Sequence, residues 1–216
     1  VPVTPRNADR LTFLSVPPVA VAGQPFPRTV EVGVLREDGS LDVGAQTVVT
    51  VALAAGAERD TLRGGTVAVV TGGLASFPSL SIDRVADTVT LVATAPGVRG
   101  TVSSSFRVLP GAPAQIVYEA FPDSGRVGVP LAPAPRISIR DDRGNLVTTA
   151  SGTVQVRILS GPTGGTLVGE QAVPVVGGVA SFASIALGPA GVYVIETALL
   201  GSPGVRVATS SLLPIR

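Results

Sequence analysis

Valine-rich stretches in this chain alternate with a period of two. Val30, Val32 and Val34 alternate with Glu31 and Gly33, and Val49, Val51 and Leu53 repeat the pattern, as do Val89, Leu91 and Ala93. Further on the same spacing links Ile137 with Ile139, Val154 with Val156 and Ile158, and Val192 with Val194. This is the signature of a strand with one buried face. The residues are mostly β-branched, which suits a pleated surface. Turn signals punctuate the stretches at Asp38-Gly39, Gly64-Gly65, Gly72-Gly73, Arg143-Gly144-Asn145 and Gly177-Gly178. No window carries a helical period with caps. Many short strands at this spacing predict an all-β fold of the sandwich type.

The pattern also repeats at long range. Gly72 to Leu80 reads GGLASFPSL and Gly177 to Ile185 reads GGVASFASI, an offset of 105 positions (177 − 72). The same offset joins Gly23 and Pro25 to Gly128 and Pro130, Gly39 and Leu41 to Gly144 and Leu146, and Thr61, Leu62 and Gly64 to Thr166, Leu167 and Gly169. It holds without a gap from Val3 to Ser79. Beyond that it drifts: Thr94-Ala95 answers Thr197-Ala198 at 103, and Gly97-Val98-Arg99 answers Gly204-Val205-Arg206 at 107. Small insertions of this kind belong in loops. The reading is a tandem duplication of one β unit. Ala75 and Phe77 share one face of the repeated motif, as do Ala180 and Phe182. Phe77 and Phe182 are therefore the expected large core anchors.

Composition narrows the chemistry. The 216 residues are 45% hydrophobic and only 14% charged, against roughly 25% charged in an average soluble domain. Sixteen basic and fifteen acidic residues leave a formal net charge of +1, without the basic excess of a nucleic-acid binder. All the basic residues are Arg; Lys, His, Cys, Met and Trp are absent. Zinc sites, His-based and Cys-based nucleophiles, a Schiff base, a P-loop and a Lys-based isopeptide crosslink are thereby excluded. No apolar run approaches the ~18 residues of a membrane-spanning helix. Lack of Met and Cys removes the readily oxidised side chains and suits exposure outside the cell.

Ile137 to Val147, Thr153 to Ile158, Gly165 to Gly169, Gly177 to Ile185 and Ala190 to Ala198 together resemble the bacterial immunoglobulin-like repeats of surface proteins, the invasin/intimin-like and related groups. The first unit departs at Ala86-Asp87-Thr88, where the Ala-Gly-x-Tyr of the second unit is lost. The resemblance implies two tandem Ig-like β-sandwiches and an extracellular or cell-surface location. The expected organisation is an extended segment over residues 1–7, a domain over 8–109, a Pro-rich linker over 110–113 and a domain over 114–216. The prolines of the linker restrict it and imply a semi-rigid pair.

Few residues offer chemistry. Glu37-Asp38 and Asp141-Asp142 fall at equivalent turns, and Asp141 and Asp142 are the candidates for a calcium site, since calcium takes oxygen ligands. The competing reading is a solvated turn. No catalytic residue, cofactor or small-molecule ligand is expected, and the chain reads as non-enzymatic. The ends are candidates for assembly. Val1 to Pro5 aligns with Phe106 to Pro110, the last strand of the first unit, so Val1, Val3 and Pro5 could pair with a neighbouring subunit. Leu212 and Ile215 are the corresponding candidates at the C-terminus, where Pro214 suits a sheet edge. The expected function is a structural subunit of an extracellular bacterial filament, assembled head to tail and open-ended. The alternatives are a stalk of a multi-repeat adhesin or surface-layer protein, and a glycan-binding accessory module of a secreted enzyme.

Overall fold

The computed structural model describes residues 8–54 and 61–216. The fold is all-β. Among the described residues there is no helix, hence none long and apolar enough to cross a membrane. The chain divides into two compact units, Val1–Leu109 and Pro110–Arg216, each with its own hydrophobic core. Val1, Val3 and Pro5 lie outside the described residues.

The first unit contains β1 (Ala8–Ser15), β2 (Val19–Val21), β3 (Val30–Arg36), β4 (Val48–Leu53), β5 (Leu62–Arg63) and β6 (Val67–Val69). It continues with β7 (Leu74–Phe77), β8 (Ser81–Ile82), β9 (Ala86–Val89), β10 (Leu91–Ala95), β11 (Val98–Val102) and β12 (Phe106–Leu109). One ladder runs β6-β4-β10-β11-β1-β3-β7, in which β1 and β11 meet through the parallel pair Arg10–Arg99. A second runs β2-β12-β9, and β5 pairs with β8. Val30, Val32 and Val34 of β3 and Val49 and Val51 of β4 turn inward onto Phe77, Leu91 and Phe106. Each such side chain contributes roughly 1.5–3 kcal/mol over its exposed state.

The second unit contains β13 (Gln115–Ala120), β14 (Arg136–Arg140), β15 (Thr153–Ser160), β16 (Thr166–Val168) and β17 (Ala172–Pro174). Then follow β18 (Val179–Ser181), β19 (Ala186–Gly188), β20 (Gly191–Leu199), β21 (Ala208–Thr209) and β22 (Leu213–Ile215). Its ladders run β13-β14-β18 and β17-β15-β20-β21, with β22 also on β20 and β16 on β19. Ile137, Ile139, Val154, Val156, Phe182, Tyr193 and Leu213 form its core. Phe77 and Phe182 are both fully buried, on the same inward sides as Ala75 and Ala180.

Two glycine pairs show why the turn residues are what they are. Gly64 and Gly169 adopt φ of +97° and +96°, and a Cβ on either would sit 2.1 Å from the carbonyl oxygen of Ser79 or Ser184. Gly73 and Gly178 have φ of +85° and +79°; a Cβ there would meet the carbonyl oxygen of Asp42 at 2.9 Å or of Val147 at 2.5 Å. Only glycine tolerates both the angle and the approach.

Three expectations from the alternating pattern are corrected. In β20 the inward side chains are Tyr193, Ile195, Thr197 and Leu199, while Val192 is exposed and Val194 only half-buried. The run Val192 to Ile195 is apolar at every position, so either phase satisfies the alternation; the large ring of Tyr193 takes the interior. The stretch Val89 to Ala93 is not one strand. It breaks at Thr90, with Val89 pairing Phe106 in one ladder and Leu91 pairing Leu53 in another. Lastly, Thr94-Ala95 is not the spatial counterpart of Thr197-Ala198. Val51 faces Ala93 and Val156 faces Thr197, an offset of 104 (197 − 93). An offset of 103 would set exposed Thr94 against buried Thr197, because a one-residue slip exchanges the faces of a strand.

Candidate functional site

Asp141 is the most deeply buried carboxylate among the described residues, and its surroundings are built from its own turn. The strand β14 ends at Arg140, and Gly144, with φ of +82°, lets the chain reverse. One carboxylate oxygen, Oδ1, accepts from the backbone N–H of Arg143 at 2.9 Å and of Asn145 at 2.8 Å. The other, Oδ2, accepts from the Gly111 N–H at 2.9 Å and from Asn145 Nδ2 at 3.0 Å. Burial alone would raise the pKa of Asp141. The Asn145 side chain and the N–H groups of Gly111, Asn145 and Arg143 outweigh it and hold the carboxylate below its ordinary range. The Gly111 bond ties the Pro-rich segment to the turn, and Gln115 Nε2 adds a bond to the Asp141 carbonyl oxygen at 3.0 Å.

Asp142 does not join it. Its side chain is exposed and lies 3.8 Å from Arg143 Nε. Among the described residues no three Asp or Glu side chains converge as a cation site. The oxygens of Asp141 already accept N–H donors, so the pair reads as a turn anchor and a surface charge. The turn of the first unit keeps the backbone bonds but not the carboxylate. Arg36 stands at the Asp141 position: its N–H donates to the Ser40 carbonyl oxygen at 2.9 Å, as Asp141 N–H does to Asn145. Arg36 Nη2 then donates to Asp42 at 3.0 Å. Asp38 instead accepts from the N–H and hydroxyl of Ser40.

The remaining polar interior is also structural. The Ser103 hydroxyl accepts from Leu91 N–H at 2.9 Å and donates to the Ser104 carbonyl oxygen at 2.7 Å. The Ser210 hydroxyl does the same with Ile195 N–H at 2.9 Å and the Ser211 carbonyl oxygen at 2.8 Å. Tyr118 Oη lies 2.5 Å from Thr197 Oγ1, which settles a hydroxyl buried in the core; burial pushes the Tyr118 pKa up. Tyr193 Oη donates to the Pro189 carbonyl oxygen at 2.7 Å. At the edge of the second unit's interior the buried Ser138 donates to the half-exposed Glu119 at 2.5 Å, and Arg140 Nη2 donates to the same oxygen at 2.7 Å. Both donors lower the Glu119 pKa, Ser138 first. The doubled serines at 103–104 and 210–211 were the available sequence signal for one of these motifs; the Tyr118–Thr197 contact left none.

The C-terminal candidates separate. Leu212 is 70% exposed, whereas Ile215 is 3% exposed and belongs to the core of the second unit. Ile215 pairs with Gly191 on one side and Gly125 on the other. In the first unit β12 lies in the same way between β9 and β2. Ile215 is thus corrected from an assembly residue to an internal one: its strand completes its own sheet.

The outer faces of the two units differ most. In the first unit the outward side chains of the β6-β4-β10-β11 ladder are Val67, Val69, Val48, Thr50, Ala52, Val92, Thr94 and Val102. In the second unit the positions of Ala52 and Val92 hold Arg157 and Glu196, joined by an ion pair at 2.6 Å. All six Phe and both Tyr are buried or half-buried, so no ring lies flat on either surface as a stacking platform.

No family matches this sequence, and no curated protein matches it. Solved structures do resemble it in part. The adhesin InvE of Yersinia pseudotuberculosis matches 95% of this chain over 58% of its own, at 13% identity and a TM-score of 0.40. Domains 4–9 of the surface layer protein SbsC match 97% of this chain over 32% of theirs, at 12% identity and a TM-score of 0.33. An elastase-activated alpha-2-macroglobulin of Escherichia coli matches 99% over 22% of its own length, at 15% identity and a TM-score of 0.41. This chain therefore spans between about a fifth and three-fifths of the structures it resembles. Such likenesses are between β-domains and carry no activity across.

Proposed function

We propose that this chain is a non-enzymatic structural part of an extracellular bacterial surface protein, built from tandem Ig-like sandwiches. The observation that carries this reading is the direction of its chemistry. Asp141, Ser103, Ser210 and Tyr193 bond to backbone groups, Tyr118 and Glu119 to neighbouring side chains of the same unit, and no aromatic ring is presented to a ligand. A glycan-binding module needs exposed rings or convergent polar groups around a pocket. A stalk or filament needs only stable sheets and surfaces that meet neighbours. The finer reading is a filament subunit joined head to tail, with residues 1–7 and the exposed Leu212 as connecting elements. The low charge and the apolar outer face of the first unit favour contact with other copies.

Immunogold labelling of intact cells with an antibody against residues 110–216, followed by electron microscopy of the released material, tests this reading. Labelled rods or filaments at the surface are expected, and filaments should vanish when residues 1–7 are removed. Label confined to the cell interior, or saccharide binding by the purified chain on a glycan array, would overturn it.

A further inference from the structure

The strand β6 ends its ladder: it pairs with β4 on one side and with no described residue on the other. Its hydrogen bonds show which backbone groups are left over. Val51 N–H donates to the Thr66 carbonyl oxygen at 2.9 Å and Val70 N–H to the Thr47 carbonyl oxygen at 3.0 Å. With Val49 opposite Ala68, the alternation of an antiparallel ladder directs the N–H and C=O of Val67 and Val69 outward. Their side chains, 58% and 70% exposed, stand on the outer face beside Val48. From Gly64 to Ile82 the sequence holds no charged residue and its one proline, Pro78, lies outside the strand. Of the usual protections of an edge strand, β6 has only its shortness; a charge, a proline and a bulge are missing from it.

The second unit closes the same edge. Val156 N–H bonds Gln171 and Val175 N–H bonds Gly152, so Ala172 and Pro174 of β17 occupy the outward positions. Pro174 has no N–H to offer. The adjoining face carries the Arg157–Glu196 ion pair, where the first unit has Ala52 and Val92. Two units of similar design thus differ at the edge and at the face beside it, both in the direction that leaves the first unit open.

We propose that β6 is a homotypic assembly edge: it pairs antiparallel with β6 of a second copy of this chain about a two-fold axis through Ala68. In that register Val67 lies opposite Val69 of the second copy, and Val69 opposite its Val67. Each pair exchanges two N–H···O bonds, because these are the residues whose groups point outward. The side chains of each pair fall on the same outer face and cover one another, as β-branched cross-strand pairs do. A second copy is the fitting occupant because the edge is its own complement: short, uncharged and apolar, with a register that maps onto itself. This contact goes beyond the proposed structural role and does not depend on residues 1–7.

Sedimentation equilibrium of the whole chain tests it, with the variants Val69→Pro and Val67→Lys. The native chain is expected to show a concentration-dependent dimer. Val69→Pro removes two inter-copy hydrogen bonds by symmetry, at about 1 kcal/mol each, which raises the dissociation constant about thirtyfold. It removes no bond to β4, since the Val69 N–H points away from that strand. Val67→Lys alters only an exposed side chain and should also disperse the dimer, so a folding defect in the first variant would leave the proposal testable. Amide exchange at Val67 and Val69 should slow as concentration rises. A native chain that stays monomeric to millimolar concentration would overturn the proposal, as would a dimer that both variants leave intact. Slowed exchange caused only by an added extended peptide would instead assign the edge to a different partner.

Discussion

At the residue scale, the most buried carboxylate among the described residues, Asp141, is turned toward its own backbone. It is buried, it accepts hydrogen bonds from Gly111, Arg143 and Asn145, and it fastens the Pro-rich segment to the β14 turn. Asp141→Ala removes the acceptor of the Gly111, Arg143 and Asn145 N–H groups and is expected to cost the second unit about 3 kcal/mol, since bonds to a charged group contribute about 1.5–3 kcal/mol. Asp142→Ala should change stability by less than about 0.5 kcal/mol, as exposed substitutions do. Urea unfolding of both variants checks the contrast. The pH dependence has a definite sign. The native pKa of Asp141 is lowered, so its stabilisation is complete above the unfolded-chain value of about 3.9 and is lost as pH falls from there toward the native value. Urea midpoints between pH 7 and pH 2.5 should drop more steeply for the native chain than for Asp141→Asn below about pH 4.

At the element scale, the informative strand is β20. Its inward residues alternate as Tyr193, Ile195, Thr197 and Leu199, and it passes from β22 at its start to β15 and β21 further along. The Ser210 hydroxyl caps the Ile195 N–H in this strand, and Ser103 caps Leu91 in β10. Ile195→Ala removes buried methyl groups from a closed core and should cost about 2–5 kcal/mol. Val194→Ala, on the outward phase, should cost less than about 1 kcal/mol. Chemical denaturation of the two variants distinguishes the phases: a larger cost for Val194→Ala than for Ile195→Ala would mean that the strand packs in the other phase.

At the scale of the whole molecule, each unit has a separate core and its own last strand. The core of the second unit draws only on residues between Ile116 and Ile215. Residues 110–216 alone are therefore expected to fold and to unfold in one cooperative transition, with the same near-complete protection of the Ile137, Ile139 and Ile195 amides in hydrogen exchange as in the whole chain. Loss of protection in the isolated piece would show that its stability depends on the first unit. The units differ in surface. Where the second has Glu119, Ser138 and Arg140 linked across β13 and β14, the first has Leu14, Gly33 and Leu35 at the positions 105 residues earlier. The first unit is the one suited to being covered.

Much of this was legible locally. Strand content, the inward Phe77 and Phe182, and the glycines at 64, 73, 169 and 178 follow from alternation and from backbone angles, which neighbouring residues impose on each other. The phase of β20 was not legible, because Val192 to Ile195 is apolar at every position and a two-residue period cannot choose between equal faces. Nor was the offset of 104 between Ala93 and Thr197, since matching letters do not reveal which residue lies opposite Val51 or Val156. Asp141 could be singled out as a carboxylate at a turn, but its burial depends on Gly111 arriving from thirty positions earlier. The edge at β6, which pairs only with β4 among the described residues, is of the same kind. Valines in a strand look alike wherever they occur, and a strand becomes an edge only when the sheet is assembled and nothing remains to pair with it.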